Sequence, residues 1–389
     1  MIRASAAKLP LGLLAAAGFL SSAGARVIDP LLHVIASDFA TTVPAVSIVV
    51  AAFTLPYGLC QIVLGPVGDR FGKLRVILAS LLAYTLATGA CALASDLPML
   101  TLLRAGAGAA SAGLIPVCLA YIGDAVPYDE RQVTLSRFLT GVVLAQTLAG
   151  PIGGVFGDYV GWRGVFLLLA AGALVVALAF ALRMKHLPDD ASRAAAFDFA
   201  RYRALAHSPL SRRLLLGALI DGALLVGCFP FLAPYMRERF ALPYAGIGGL
   251  LACFGLGALL YTRLASRIVP RLGEARMVLL GGVLIALALV AGVATPWWPA
   301  FVGVEMALGL GFFMLHGVMQ ARATEMLPQA RATAVAAFAC ALFVGQSIGA
   351  RGMGALIGGL GYGPAFAIEA AGVLVLAAWL GGLMRRARA

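Results

Sequence analysis

Along almost the whole chain, apolar stretches of bilayer length alternate with short breaks that are charged or rich in Gly and Pro. A membrane-spanning helix needs ~20 mostly apolar residues. On that measure the pattern predicts twelve spans, roughly 10–36, 43–66, 74–95, 98–122, 133–157, 161–183, 213–235, 243–265, 276–295, 298–321, 332–358 and 362–384. A polar, basic segment, 184–212, follows the sixth span and separates 1–183 from 213–389. The predicted fold is an all-α membrane protein: twelve transmembrane helices in two pseudo-symmetric six-helix bundles joined by a linker. Within the linker, Asp189-Asp190-Ala191-Ser192 can start a helix carrying Phe197, Phe199, Tyr202 and Leu205 among Arg193, Arg201 and Arg203. It reads either as an interfacial helix on an anionic leaflet or as a solvated connector.

Composition agrees with the pattern. Of 389 residues, 62% are hydrophobic and 12% charged, with mean hydropathy +0.97. Soluble domains carry ~25% charged residues, so a soluble enzyme, a secreted disulfide scaffold and a disordered chain are excluded. The six cysteines lie inside apolar runs and form no CxxC; no disulfide framework, metal site or cofactor is expected. The net charge is +12. With the N-terminus placed in the cytoplasm, all 29 basic residues except Arg26, Arg104, Arg163, Arg237, Arg239 and Arg351 fall on the cytoplasmic side. That asymmetry predicts both termini inside and makes the charge a topology signal, not a nucleic-acid footprint. Abundant Ala, Gly and Arg with no Asn suggest a bacterial source, hence an inner membrane. Residues 1–25 also have the make-up of a signal peptide. The apolar run continuing through Leu31–Ala36, and the repeat below, favour a retained first span.

The second half repeats the first. At a shift of 201 residues, Pro98 meets Pro299, Gly108 meets Gly309 and Asp124 meets Glu325. Gly72-Lys73-Leu74-Arg75 likewise meets Gly273-Glu274-Ala275-Arg276, and Gly153 and Gly157 meet Gly354 and Gly358. At a shift of 200, Pro30 meets Pro230, Gln146 meets Gln346 and Gly161-Trp162 meets Gly361-Tyr362. Six spans separate the copies, so both run in the same direction. Parallel repeats imply two bundles about an axis along the membrane normal, with a site between them near the midplane.

Between spans two and three the chain reads Gly65-Pro66-Val67-Gly68-Asp69-Arg70-Phe71-Gly72-Lys73. An acid at a helix end, a glycine turn and basic residues behind it make a charge clamp. With Leu74 where a basic residue is usual, this segment resembles the signature of the major facilitator superfamily. Leu103-Arg104-Ala105-Gly106 resembles that family's fourth-span motif, and Gly150-Pro151-Ile152-Gly153-Gly154 the motif typical of its proton-driven antiporters. The resemblance covers essentially the whole chain and implies a transporter of the drug/proton antiporter branch, with no catalytic residues. In it, Gly65, Asp69, Arg70, Gly72, Lys73, Gly150, Pro151, Gly153 and Gly154 are gating residues. Small residues four apart let helices approach closely. Plain packing therefore remains the alternative for the glycines, and Pro151 is expected to kink its span.

Ionisable residues inside spans are costly and are functional candidates. Arg26, Asp29 and His33 share one face of span one by their spacing. Arg104 and Glu305 occupy the same place in the two halves with opposite charge. The family's lining spans imply that Arg104 faces the cavity opposite Glu305. Asp29, Glu305 and Asp221 are the proton-coupling candidates. Arg26, Arg104, His33, Tyr57, Phe229, Phe312 and His316 are the candidates for cavity or substrate contact. Static pairing of Arg26 with Asp29, and of Arg351 with Glu369, is the competing expectation, as is simple packing for the histidines and aromatics. The expected activity is proton-coupled export of small amphipathic molecules or drugs by a monomer in contact with lipid. The alternatives are a facilitator or symporter for a metabolite on the same fold, and a membrane sensor or assembly subunit without flux.

Overall fold

The computed structural model describes residues 10–184, 187, 199–327 and 330–386. Ten helical runs among them are long and apolar enough to cross a membrane. Two are double: α7 (Tyr128–Met184) has 57 residues and α11 (Tyr244–Ala294) has 51. Each breaks at one glycine, Gly161 (φ 67°) and Gly273 (φ 67°). Counting their arms separately gives twelve spans. Single spans are α3 (Val43–Phe71), α4 (Lys73–Cys91), α12 (Phe301–Ala323), α13 (Arg331–Leu360) and α14 (Tyr362–Arg386). Three more are interrupted: α1 (Leu11–Arg26) with α2 (Leu32–Asp38), α5 (Leu97–Ser111) with α6 (Leu114–Ala125), and α9 (Pro209–Asp221) with α10 (Leu232–Phe240). Helices satisfy their own backbone hydrogen bonds, which a hydrocarbon solvent requires.

Several helices outrun the predicted spans. The second ends at Phe71 rather than 66, and residues 266–272 are helical where a loop is predicted. Charge and proline mark where a helix leaves the hydrocarbon, not where it ends. Arg263, Arg267 and Arg271 recur four apart on the protruding helix, and Pro270 sits inside it. The proposed linker helix start at Asp189 lies outside the described residues. What is described, α8 (Phe199–His207), buries Leu205 against Leu327 and Ala334, so this stretch docks on the second half.

The repeat is visible in the backbone. The positive-φ glycines among the described residues are Gly72, Gly161, Gly273 and Gly361, two pairs at the shifts of 201 and 200. These turns need glycine because a Cβ disfavours that conformation. Pro30 and Pro230 each sit in a 3₁₀ turn, Asp29–Leu31 and Phe229–Phe231, that interrupts the first span of each half. A Cβ on Gly108 would collide with the Phe53 carbonyl, and a Cβ on Gly309 with the Phe254 carbonyl. The second contact is the first moved by 201 residues.

The core shows how the halves meet. One apolar cluster joins Val27, Val50, Phe53 and Phe166 of the first half to Phe229, Phe254, Phe312 and Met353 of the second. A separate cluster, with Leu14, Ile77, Leu81, Phe138 and Phe180, fills the first bundle towards the face carrying Asp69, Lys73 and Asp124, the basic face. Two helix pairs make the seam, α3 with α13 and α7 with α11. Ser347 donates to the Ala51 carbonyl (3.1 Å), Tyr57 packs edge-on against Phe343 (4.7 Å), and the Ala245 N–H donates to Asp158 Oδ2 (2.8 Å). The Ala51 and Asp158 contacts lie in the half remote from the basic face, and Tyr57 meets Phe343 near mid-span. On the basic side, residues 259–276 of α11 and 139–144 of α7 contain no buried position. The packed seam thus runs from mid-span towards the face opposite the basic one.

The twin glycine contacts predict twin defects. Gly108→Val and Gly309→Val should each cost about 1–3 kcal/mol by overpacking and lower the thermal unfolding temperature in detergent. Gly123→Ala, with open space around it, should leave that temperature unchanged or raise it slightly.

Candidate functional site

The broken spans place charge at the seam. The α1 helix ends at Arg26, and Asp29 and Pro30 start the 3₁₀ turn that follows. Helix α12 brings Glu305 from the second half. Arg26, Asp29, Glu305, Gln146 and Gly150 line one small pocket with Phe229, Leu232, Leu251 and Phe254. Its free volume is about 20 Å³, room for about one water. Arg26 Nε lies 3.6 Å from Asp29 Oδ2. The Arg26 guanidinium also covers the Phe229 and Phe254 rings at 5.3 and 5.8 Å, so a first-half cation rests on second-half aromatics. Asp29 Oδ1 and Glu305 Oε1 are buried without a hydrogen-bond partner. The pocket lining thus holds two carboxylates and one guanidinium, and carries one net negative charge when both acids are ionised. An unpaired buried charge is strongly disfavoured.

Arg104 is elsewhere, which corrects the expectation that it faces Glu305 across the cavity. It is fully buried inside the first bundle, donates to the Gly24 carbonyl (2.9 Å), and lies over Phe53 (4.3 Å) and Phe166 (5.7 Å). The break after α1 frees a carbonyl, and the guanidinium closes on it. Its charge still interacts with Asp29, from behind the pocket wall.

The other candidates divide. His33, one turn beyond Asp29, lines a separate cavity of about 510 Å³ with Ser37, Thr41, Glu238 and Tyr362, on the face opposite the basic one. Tyr57 is a seam residue, stacked on Phe53 (5.8 Å) and hydrogen-bonded by Ser21 (3.4 Å). Phe312 backs the pocket, 5.9 Å from both Phe229 and Phe254. Asp221 and His316 are brought together, Oδ2 to Nδ1 at 2.7 Å. The sequence names both but does not pair them, because they lie 95 residues apart. Arg351 is exposed and Glu369 is buried with Oε1 unpartnered, so the expected pair between them is not formed. Gln146 is the lining residue that sequence reasoning used only as a repeat marker; a lone amide in an apolar span was its signal.

The motif glycines work on two faces of α7. Cβ atoms on Gly150 and Gly154 would strike Leu251 and the Tyr244 carbonyl of the other bundle. On Gly153 and Gly157 they would strike the Val27 carbonyl and Leu31 of span one. Pro151 is accommodated without a break, since Gly161 is where the dihedrals leave the helical range. At the basic face, Lys73 Nζ lies 2.8 Å from both Asp69 and Asp124. The second half also holds two acids on one cation, but from other positions: Arg322 holds Glu274 (2.6 Å), the counterpart of Lys73, and Glu325 (3.2 Å), the counterpart of Asp124. Gly72 makes the turn between Asp69 and Lys73, and Arg70 lies over Phe71 (5.4 Å). A Cβ at Gly65 would meet open space.

Two related helical bundles with a charged pocket at their seam define a membrane transport protein. A family model described as Major Facilitator Superfamily matches residues 14–231 and 214–389. The chain belongs to that superfamily; it is a transporter and not an enzyme. It is 26% identical over 330 residues to YceJ, an uncharacterised transporter of this type from Bacillus subtilis (strain 168), covering 83% of each chain. It is 28% identical over 267 residues to a chloramphenicol resistance protein of Streptomyces lividans, covering 68% of this chain and 67% of that one. Its fold resembles a bacterial homologue of the human lysosomal transporter Spinster in an inward-facing, unoccupied conformation, with TM-score 0.81, 21% identity and coverage of 97% and 96%. It also resembles a peptide transporter, POT, with TM-score 0.79, 16% identity and coverage of 97% and 94%.

The position of Arg104 predicts a structural phenotype. Arg104→Met should strand the Gly24 carbonyl and cost about 1.5–3 kcal/mol, read as a lower unfolding temperature. Arg104→Lys should recover little, because an ammonium lacks the planar fork and stacking of a guanidinium.

Proposed function

We propose that this transporter is a proton-coupled exporter of small amphipathic molecules, working by alternating access. The observation that carries the reading is the pocket with two carboxylates and one guanidinium between the bundles. With both acids ionised the trio carries one negative charge; one proton neutralises it. In the cycle proposed, substrate enters from the basic side and meets the aromatic walls of Phe229 and Phe254. It displaces the proton held by Asp29 or Glu305. The bundles then rock, the seam opens at the opposite face, and a proton replaces the departing substrate. Inward movement of one charge down 100 mV contributes about 2.3 kcal/mol.

The remaining assignments belong to this reading. The basic rim faces the cytoplasm of a bacterium, with both termini inside, and the monomer is the working unit in its lipid. Segment 184–212 links the bundles 1–183 and 213–389. Arg26 sets the charge of the two acids, and Arg104 holds the span-one break from behind. The Gly65, Asp69, Arg70, Gly72 and Lys73 clamp steadies the basic face. Gly150, Pro151, Gly153 and Gly154 form the seal at the other. The name of the chloramphenicol resistance relative supports an amphipathic drug as first substrate to try, and the Phe229 and Phe254 rings beside the charged groups support the same class.

Purified protein in proteoliposomes under an imposed pH gradient tests the reading, starting with chloramphenicol and continuing through a panel of neutral and cationic amphipaths and metabolites. A substrate should move faster with the gradient than without it. Asp29→Asn and Glu305→Gln should each lower gradient-driven flux at least about tenfold while leaving the fold intact. Equal flux with and without the gradient would identify a facilitator. Full flux in both variants would remove these acids from the coupling.

A further inference from the structure

A second titratable couple lies outside the pocket. Asp221 ends α9 and is fully buried; His316 on α12 is 7% exposed. Their Oδ2–Nδ1 distance of 2.7 Å marks a strong hydrogen bond. Asp221 Oδ1 is buried without a partner. A single π-helical turn, Gly222–Val226, follows directly, a distortion frequent at functional sites. It packs tightly on α13, where a Cβ at Gly222 would collide with the Leu342 carbonyl.

The couple is connected to the pocket by rings. The His316 imidazole stacks on Phe312 at 4.8 Å and 8°. Phe312 in turn touches Phe229 and Phe254, the rings under Arg26. At 1.5 Å per residue, His316 lies roughly 16 Å below Glu305 along α12, and Asp221 roughly 12 Å below Phe229, both towards the basic face. Other groups near the couple are few. On its own helix are Glu305 and, towards the rim, Arg322. From α11, Tyr261 approaches Gly317. From α13 come the neutral Phe338, 5.5 Å from the His316 ring, and Gln346 beside Gly222. On α9, Arg212 and Arg213 lie at the far end.

We propose that Asp221 and His316 form a second proton-binding site, on the basic side of the central pocket and linked to it through Phe312. Without the extra proton, neutral His316 donates Nδ1–H to the Asp221 carboxylate, and the couple carries one negative charge. With it, Nε2 is protonated as well and the couple is neutral overall. The imidazolium then faces Phe312, and cation–π attraction strengthens that stack. Protonation here therefore acts on the wall of the central pocket. The site's role in export rests on the proton-coupled reading; its existence does not.

The chain has four histidines, His33, His186, His207 and His316, which makes ¹⁵N-histidine NMR of the full-length protein in lipid nanodiscs a direct test, with protons as the only ligand. His316→Gln assigns the resonance. In the native chain the His316 resonance should show the ring gaining one proton as the pH is lowered. Asp221→Asn, which keeps a hydrogen-bond acceptor and removes the charge, should displace that change along the pH axis. Glu305→Gln should leave His316 titrating but displace its midpoint measurably. A His316 signal fixed in one form across the titration, or Asp221→Asn and native curves that superimpose, would overturn the proposal. Full gradient-driven flux in Asp29→Asn and Glu305→Gln would overturn the export cycle instead and leave the His316 titration as it stands.

Discussion

Arg26 faces two acids, Asp29 and Glu305, in a space that holds about one water. Everything around it fits that constraint. A buried charge must be matched; within the lining the acids outnumber the guanidinium by one, and Arg104 acts on Asp29 from behind the wall. The guanidinium belongs to one bundle and Glu305 to the other, so the electrostatics of the pair depend on how the bundles sit. Moving them apart trades a low-dielectric contact for a hydrated one, a change worth kilocalories. A site whose charge balance depends on bundle position is one through which protonation and opening can drive each other.

The duplicated architecture explains why such a site can exist. Both halves use the same devices: glycine turns at Gly72 and Gly273 and at Gly161 and Gly361, proline turns at Pro30 and Pro230, and carbonyl contacts at Gly108 and Gly309. The scaffold is therefore symmetric while its charges are not. Asp29 has Phe229 as its counterpart, Arg104 has Glu305, and Lys73 has Glu274. In the first half a cation is buried behind the wall; in the second, an acid reaches the pocket and a His–Asp couple lies beneath it. Function resides in the differences between two copies whose likeness supplies the fold.

Much of this was legible in the sequence. Span number, the repeat and the glycine turns follow from periodic features that a bilayer enforces: twenty-residue apolar runs, punctuation, and matching glycines and prolines. Helix ends were less legible, because α3 and α11 continue past their prolines and arginines into the rim. The site was half legible. Spacing put Arg26 and Asp29 on one face, and the repeat singled out Glu305. The family's lining spans misplaced Arg104, since a place on a lining span does not fix a rotamer, and a freed carbonyl at Gly24 captured the guanidinium. Asp221 and His316 could not be paired from one sequence, because nothing local links residues from different spans.

The central claim is that protons come on and off Asp29 and Glu305. Infrared difference spectroscopy of the protein in lipid, stepped in pH, reads the carbonyl stretch of protonated carboxyl groups directly. The account predicts a pH-dependent carboxyl band that loses intensity in Asp29→Asn and in Glu305→Gln. A band of unchanged position and amplitude in both variants would contradict it.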